Sequence, residues 1–400
     1  MTLSSNRAGT EQPTEAPRAL VPVLTGGMGL SMLVLYAIGS LGPYIVDDLG
    51  ISRSGVGFLP AVAFGTATVM SLYAGHLTDL LGGRRVFIAL LAVISADFAL
   101  LASSHTYALL LVALALAGLP QSLANPSTNR LIAAHVAPAR RALTIGVKQS
   151  GPPVAALLAG VALPALAGAL SWRSAVALVV PVALVTALLA FAVLPRDPAP
   201  TERLRFGLPQ PPNAATRWLM AYSLFIGCGL ASLNTYLPLY AHQRLAMGAG
   251  EAGALISAIG VAGITTRVLW ARFSARLSDI PSSLFGFAVA AAASAVLIPA
   301  ATHGTWLAWA GALGLGGCAA AGNAVSMVAV TRGSGFGRTG HASALVSMGF
   351  FGGFALGPIV FGLLADGSAG FGGAWTFVVA VFVLALISAR AGRRTLRAAA

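Results

Sequence analysis

The sequence predicts an all-α polytopic membrane protein, with twelve transmembrane helices arranged as two pseudo-symmetric six-helix bundles. Three observations carry this. First, only 9% of the 400 residues are charged while 57% are hydrophobic, against about 25% charged in a soluble globular chain. So few polar side chains cannot cover a water-facing surface of this size, which excludes soluble enzymes and secreted disulfide scaffolds. Second, the apolar residues come in runs that meet the ~20 residues a helix needs to cross a bilayer. Third, landmarks recur at a spacing of about 200 residues, the mark of an internal duplication.

In chain order, the first six runs lie near 19–42, 55–75, 85–103, 106–134, 143–169 and 174–194. The second six lie near 216–239, 253–274, 283–301, 306–330, 342–364 and 372–391. They define an N-terminal bundle over 18–194 and a C-terminal bundle over 215–391. Pro and Arg punctuate 195–214, which reads as a cytoplasmic linker. The start, 1–17, is rich in Ser, Thr, Glu and Pro and lacks an apolar core with a cleavage site. It reads as a disordered cytoplasmic tail, not a signal peptide. Residues 392–400 read as a second tail.

Basic residues set the orientation. With the N-terminus inside, the inner segments carry pairs such as Arg84–Arg85, Arg140–Arg141 and Arg393–Arg394, and the outer loops hold only Arg53, Arg173 and Arg244. This positive-inside bias predicts a multi-pass protein of the plasma membrane with both termini cytoplasmic. It also accounts for the net charge of +13, which orients the chain against anionic lipid. Nucleic acid is not an expected partner, because no patch concentrates the cations. Cys228 and Cys318 both fall inside apolar runs and read as buried free thiols.

The duplication is visible in matched landmarks. Gly75-His-Leu-Thr-Asp79 falls on Ala275-Arg-Leu-Ser-Asp279, each just after the second run of its half. Gly118, Asn125 and Arg140 fall on Gly316, Asn323 and Arg338, and Gly42-Pro43-Tyr44 falls on Leu237-Pro238-Leu239. Two parallel six-helix halves place a site near the bilayer midplane between them.

Gly75-x-x-x-Asp79-x-x-Gly82-x-Arg84-Arg85, between the second and third runs, resembles the signature loop of the major facilitator superfamily. Leu80 and Gly83 depart from its basic positions, and the second copy keeps Asp279 but has Pro281-Ser282-Ser283. Ala113 to Ala117 is wholly apolar where a basic residue is usual. The resemblance extends over the whole chain through helix count, linker position and repeat. It implies a secondary transporter that works by alternating access. It also implies that Gly75, Asp79, Gly82, Arg84 and Arg85 gate the two halves on the inner side. From the residues alone, Asp79 has Arg84, Arg85 or a neighbouring helix N-terminus as candidate partners. The plainer alternative is that the two arginines only fix topology.

An ionisable group at bilayer depth costs at least ~2.5–3.5 kcal/mol on insertion scales, so each needs a reason. Arg267, near the middle of the eighth run, offers a planar fork suited to a carboxylate. Its alternative is a structural ion pair. Lys148 is the sole lysine and heads Lys148-Gln149-Ser150-Gly151-Pro152-Pro153, a polar run before a double-proline break that exposes backbone groups to a cavity. Its alternative is snorkelling to headgroups. Arg130 reads as lying near the inner surface.

Gln121, Asn125 and Asn129 recur every four residues and share one face of the fourth helix. Asn323 repeats the middle one. Cavity lining competes with interhelical bonding for all of them. Tyr36, Asn234 and Tyr236 are further candidates, since the resemblance implies that their helices line the cavity. Asp97 is the one acidic residue clearly within a span and so the candidate to carry a coupling proton; its alternative, six residues from Ser103, is a carboxylate wetted from outside. Gly151-Pro152 resembles an antiporter motif, but Gly353-x-x-x-Gly357-Pro358 matches as well, so the pair reads as a bend or close packing.

Enzymatic readings fail on particular residues. Gln149 follows the only lysine, so no phosphate-binding loop exists. Gly335-Phe-Gly-Arg-Thr-Gly340 lacks a βαβ unit, and the six histidines lack metal-ligand spacing. No cofactor or metal is expected. The favoured function is transport of a small anionic or polar solute by a monomer, coupled to protons or exchange. The alternative is efflux of lipophilic compounds, which calls for carboxylates where this sequence supplies cations and amides.

Overall fold

The computed structural model describes residues 19–196, 211–273, 279–332, 334–336 and 339–399, and not every side chain within them. The expected tail 1–17 and most of the linker 195–214 lie outside the described residues. The first half comprises α1 (Leu20–Ser40), α2 (Gly42–Leu49), α3 (Arg53–Leu81), α4 (Gly83–Ala102), α5 (Tyr107–His135), α6 (Pro138–Lys148), α7 (Gly151–Ala169), α8 (Trp172–Ala177) and α9 (Val179–Val193). The second comprises α10 (Ala214–Arg244), α11 (Ala249–Phe273), α12 (Ile280–Ala300), α13 (Trp306–Arg332), α14 (Thr339–Asp366), α15 (Gly370–Ala391) and α16 (Arg393–Ala399). Twelve spans among the described residues are long and apolar enough to cross a membrane. The apolar outer surface of α9, with Val182, Leu188 and Phe191 exposed, fits lipid as the solvent.

Local chemistry sets the element ends. Ser52, Thr106 and Asn213 accept from Gly55, Leu109 and Thr216 backbone N–H groups and so cap α3, α5 and α10. Gly82, at φ 90°, separates α3 from α4, a conformation that a side chain disfavours. The fifth span breaks where the sequence predicts. Pro152 and Pro153 have no N–H to offer the carbonyls four residues earlier, Lys148 and Gln149, so α6 stops at Lys148 and α7 restarts at Gly151.

One end of the bundle gathers the α3–α4 turn, the α5–α6 link and the described chain ends, with Arg84, Arg85, Arg140 and Arg141. We call it the basic face. The halves join mainly at the opposite face. There Asp366 accepts from the backbone N–H of Arg53 and Ser54 at 3.2 and 2.8 Å, across the two halves. The Arg53 side chain donates to Gln243 Oε1 and the Ala365 carbonyl. Deeper in, Ser257 donates to the Leu157 carbonyl at 2.6 Å, and Phe64 of α3 packs on Phe354 of α14 at 4.6 Å. Toward the basic face α3 exposes Val69, Leu72 and Tyr73.

Residues 393–399, expected only as tail, form α16. Leu396 is buried, and Arg397 donates to the Asp279 carboxylate from Nε at 3.1 Å and from Nη2.

Candidate functional site

The most concentrated polar cluster at membrane depth forms where α5 faces the break between α6 and α7. Lys148 is fully buried. Its ammonium donates to Thr128 Oγ1 and Asn129 Oδ1 at 2.6 Å each and to Asn125 Oδ1 at 3.4 Å. Gln149 Nε2 donates to the same Asn125 oxygen at 3.0 Å. Thr128 in turn donates to the Ala124 carbonyl at 2.6 Å, which turns its lone pairs toward the lysine. All three acceptors are neutral. The described ion pairs do not include Lys148, so a cation sits inside the bundle with hydrogen bonds but no countercharge among the described residues. Asn129 is exposed and Asn125, Gln149 and Ser150 are half-buried, so the cluster borders accessible space.

The Major Facilitator Superfamily sequence model matches residues 24–315. The chain belongs to the major facilitator superfamily. The chain is also 25% identical over 166 residues to the Hexuronate transporter of Bacillus subtilis (strain 168), covering 41% of this chain and 39% of that protein. It therefore spans well under half the length of that curated relative. Two solved structures share the fold. A bacterial homolog of the human lysosomal transporter Spinster has a TM-score of 0.71 at 16% identity, over 93% of this chain and 95% of its own. The nucleoside transporter NupG has a TM-score of 0.74 at 16% identity, over 93% and 99%. As a superfamily member with twelve candidate spans among the described residues, the chain is an integral membrane protein.

Superfamily duplication is written into the packing. A Cβ at Gly151 would meet the Thr25 carbonyl, Gly29 N at 2.8 Å and Met28; one at Gly353 would meet the Leu224 carbonyl, Cys228 N at 2.7 Å and Gly227. The contacts are in the same helical register, so close packing is the role of both glycine motifs. Counting back three residues from each glycine, Lys148 corresponds to Phe350, and Gln149 to Phe351. Asn323, the counterpart of Asn125, has its Oδ1 buried with no partner among the described residues.

The remaining predicted residues divide. Tyr236 is corrected. It is fully buried, its hydroxyl lies 2.5 Å from the Arg53 carbonyl and 3.2 Å from the Pro358 carbonyl, and its ring stacks on Phe361. It ties α10 to α3 and α14 at the opposite face instead of lining a solute site. Asn234 spends its Nδ2 on the Leu230 carbonyl, and its Oδ1 has no partner among the described residues. Tyr36 is buried on α1. Asp97 is 1% exposed on the buried stripe of α4, with no partner for Oδ1 among the described residues, so it is not wetted from outside.

Arg267 is the nineteenth of the 25 residues of α11, Ala249–Phe273. It therefore sits toward the basic-face end of α11, not at mid-helix, and its side chain lies outside the described residues.

In the signature loop, Asp79 pairs neither with Arg84 nor with Arg85. Arg130 of α5, 51 residues away, holds it at 2.5 Å within the same half. Arg84 instead donates to the Phe191 carbonyl and stacks over that ring. Around Gly75 a Cβ would meet nothing within 4 Å, so packing in this conformer does not require glycine there. Sequence reasoning missed the Asp79–Arg130 partnership and the closure at Arg53, both made by residues far apart in the chain. Among the described residues, no three His, Cys, Asp or Glu side chains gather as a metal site.

Proposed function

We propose that this transporter carries a small organic anion whose carboxylate takes the Lys148 ammonium as its countercharge. The observation that carries this is the buried lysine with three neutral oxygen acceptors. An uncompensated charge at bilayer depth is costly, and a bound anion repays that cost. The long 3.4 Å contact to Asn125 is the one an anion displaces most easily, and Gln149 beside it offers a further N–H. Arg267 in the other half is, in our reading, a second cation for the same solute, with Asn125, Asn323 and Asn234 contributing amide contacts and Tyr36 the α1 wall. The hexuronate named for the Bacillus subtilis relative is a carboxylate, in keeping with this class. Asp97 exchanges a coupling proton, and Gly75, Asp79, Gly82, Arg84 and Arg85 form the gate on the basic face. That face is cytoplasmic by its arginines, so both termini lie inside a plasma membrane, and the protein works as a monomer.

The test is thermal stability of the detergent-purified protein with carboxylates, phosphate and a lipophilic cation. A ligand at 100 times its dissociation constant stabilises the folded state by ~2.7 kcal/mol. Stabilisation by carboxylates that disappears in Lys148→Gln is the expected result. Stabilisation by the lipophilic cation alone would replace this reading with efflux of lipophilic compounds.

A further inference from the structure

The amide stripe of α5 is graded in access. Asn129 is exposed, Asn125 is half-buried and Gln121 is 3% exposed. The first two are in use as acceptors for Lys148. Gln121 is not: its Oε1 and Nε2 are both buried, and neither has a partner among the described residues. A buried polar group left unmet is costly. An amide acting as glue between helices has a partner to hold, and Gln121 has none among the described residues. It lies four residues, about one turn, before Asn125 on the same side of α5, and Asn125 Oδ1 accepts from both Lys148 and Gln149.

We propose that Gln121 is a specificity-determining residue of the anion site, reading hydroxyl groups about one helical turn beyond the solute's carboxylate. The inference rests on the anion reading of Lys148. One turn is ~5.4 Å, so a carboxylate between Lys148 and Gln149 places the far side of a six-membered ring beside Gln121. A hydroxyl both donates and accepts, and two neighbouring hydroxyls satisfy Oε1 and Nε2 together. An alkyl or aryl carboxylate leaves both unmet. The solute class is therefore a polyhydroxy carboxylic acid. A solute arriving past Asn129 reaches Gln121 last, so the amide gains its partners only when the charged end is already held.

Calorimetric titration of the full-length protein in detergent, with D-glucuronate and with cyclohexanecarboxylate, tests this. The two share a six-membered ring and a carboxylate and differ in the hydroxyls. Wild type should prefer glucuronate by at least about tenfold, as sites built for a hydroxyl reject analogues that lack it. Gln121→Met, close in shape, should cut that preference to below about threefold. Gln121→Asn, which keeps the amide but withdraws it by one methylene, should give an intermediate value and serves if the Met variant fails to fold. An unchanged preference in the folded variants, or an equal loss for both ligands, would overturn the role of Gln121 and leave the anion site standing. Wild type binding both acids equally would overturn the hydroxyl reading. Binding of neither would overturn it together with the anion reading.

Discussion

The N-terminal and C-terminal halves share a scaffold and differ in what it holds. Gly151 presses on α1 and Gly353 on α10 through matching backbone contacts. Three residues before each glycine the chemistry diverges. In the first half Lys148 enters a cage of Asn125, Thr128 and Asn129. In the second, Phe350 packs on Phe354 at 4.6 Å and lies beside Phe351, while Asn323 Oδ1 has no donor among the described residues. The signature acids diverge as well: Asp79 is held by α5 of its own bundle, Asp279 by the terminal helix α16. Duplication thus set matching scaffold positions, and later substitution put a buried ammonium in one half and aromatic packing in the other.

The largest effect should come from erasing the difference. Lys148→Met removes the charge and should weaken carboxylate binding by at least about 30-fold, the lower range for loss of a buried charged partner. Phe350→Leu, at the equivalent position, should change it by less than about tenfold, as for a core swap of similar polarity. Titration of both variants measures the contrast, and equal losses would mean that the halves share the binding role.

The shared part can be broken too. Gly151→Val and Gly353→Val each drive a side chain into neighbouring backbone, at a cost of about 1–3 kcal/mol or more. Their apparent unfolding temperatures in detergent should fall alike, to within about 2 °C of each other. A fall in one alone would show that the register of the two halves is not equivalent.

Most of the scaffold was legible in the sequence because lipid makes it so. Apolar runs must be helices where water cannot serve the backbone, and twelve runs gave twelve spans. The break after Lys148 was legible because proline lacks an N–H. The amide stripe was legible because helical spacing puts Gln121, Asn125 and Asn129 together. What stayed hidden depends on chain-distant partners. Tyr236 looked like a cavity residue until Arg53 and Pro358, from other helices, took its hydroxyl. Asp79 had adjacent arginines in the sequence, yet helix geometry turned it to Arg130. Residues 393–399 looked like a tail because one buried leucine and an ion pair are too little signal to predict a helix.

The contact between the halves offers a smaller effect. Asp366 caps α3 from the other half, and charge-assisted bonds of this kind are about twice as strong as neutral ones. The carboxylate is exposed, so solvent reduces its worth. Asp366→Asn should shift the balance toward the conformer open at the opposite face by about 1 kcal/mol, roughly fivefold in population. Spin labels at Asp47→Cys and Gly248→Cys, one on each half, would report longer distances. An unchanged distribution would place the closure elsewhere, in the α7–α11 packing around Ser257.

The smallest effect separates the two signature acids. Hydrogen bonds from Arg397, then Ser282, hold the Asp279 carboxyl well below the usual carboxylate range. A carboxyl whose folded value is depressed stabilises in full above its unfolded value, near ~3.9, and loses that contribution as the pH falls through the folded value. Docking of α16 should therefore be constant from pH 5 to 8 and loosen only below about pH 4. Because the pair is largely exposed, Asp279→Asn should lower the unfolding temperature by no more than about 2 °C. A nitroxide at Ala398→Cys should become mobile in that variant at pH 7, and in the wild type only under acid. The same label should not respond to Asp79→Asn, whose partner Arg130 lies in the other bundle. A response to both would mean that the two acids act as one gate across the basic face, not as separate anchors within each half.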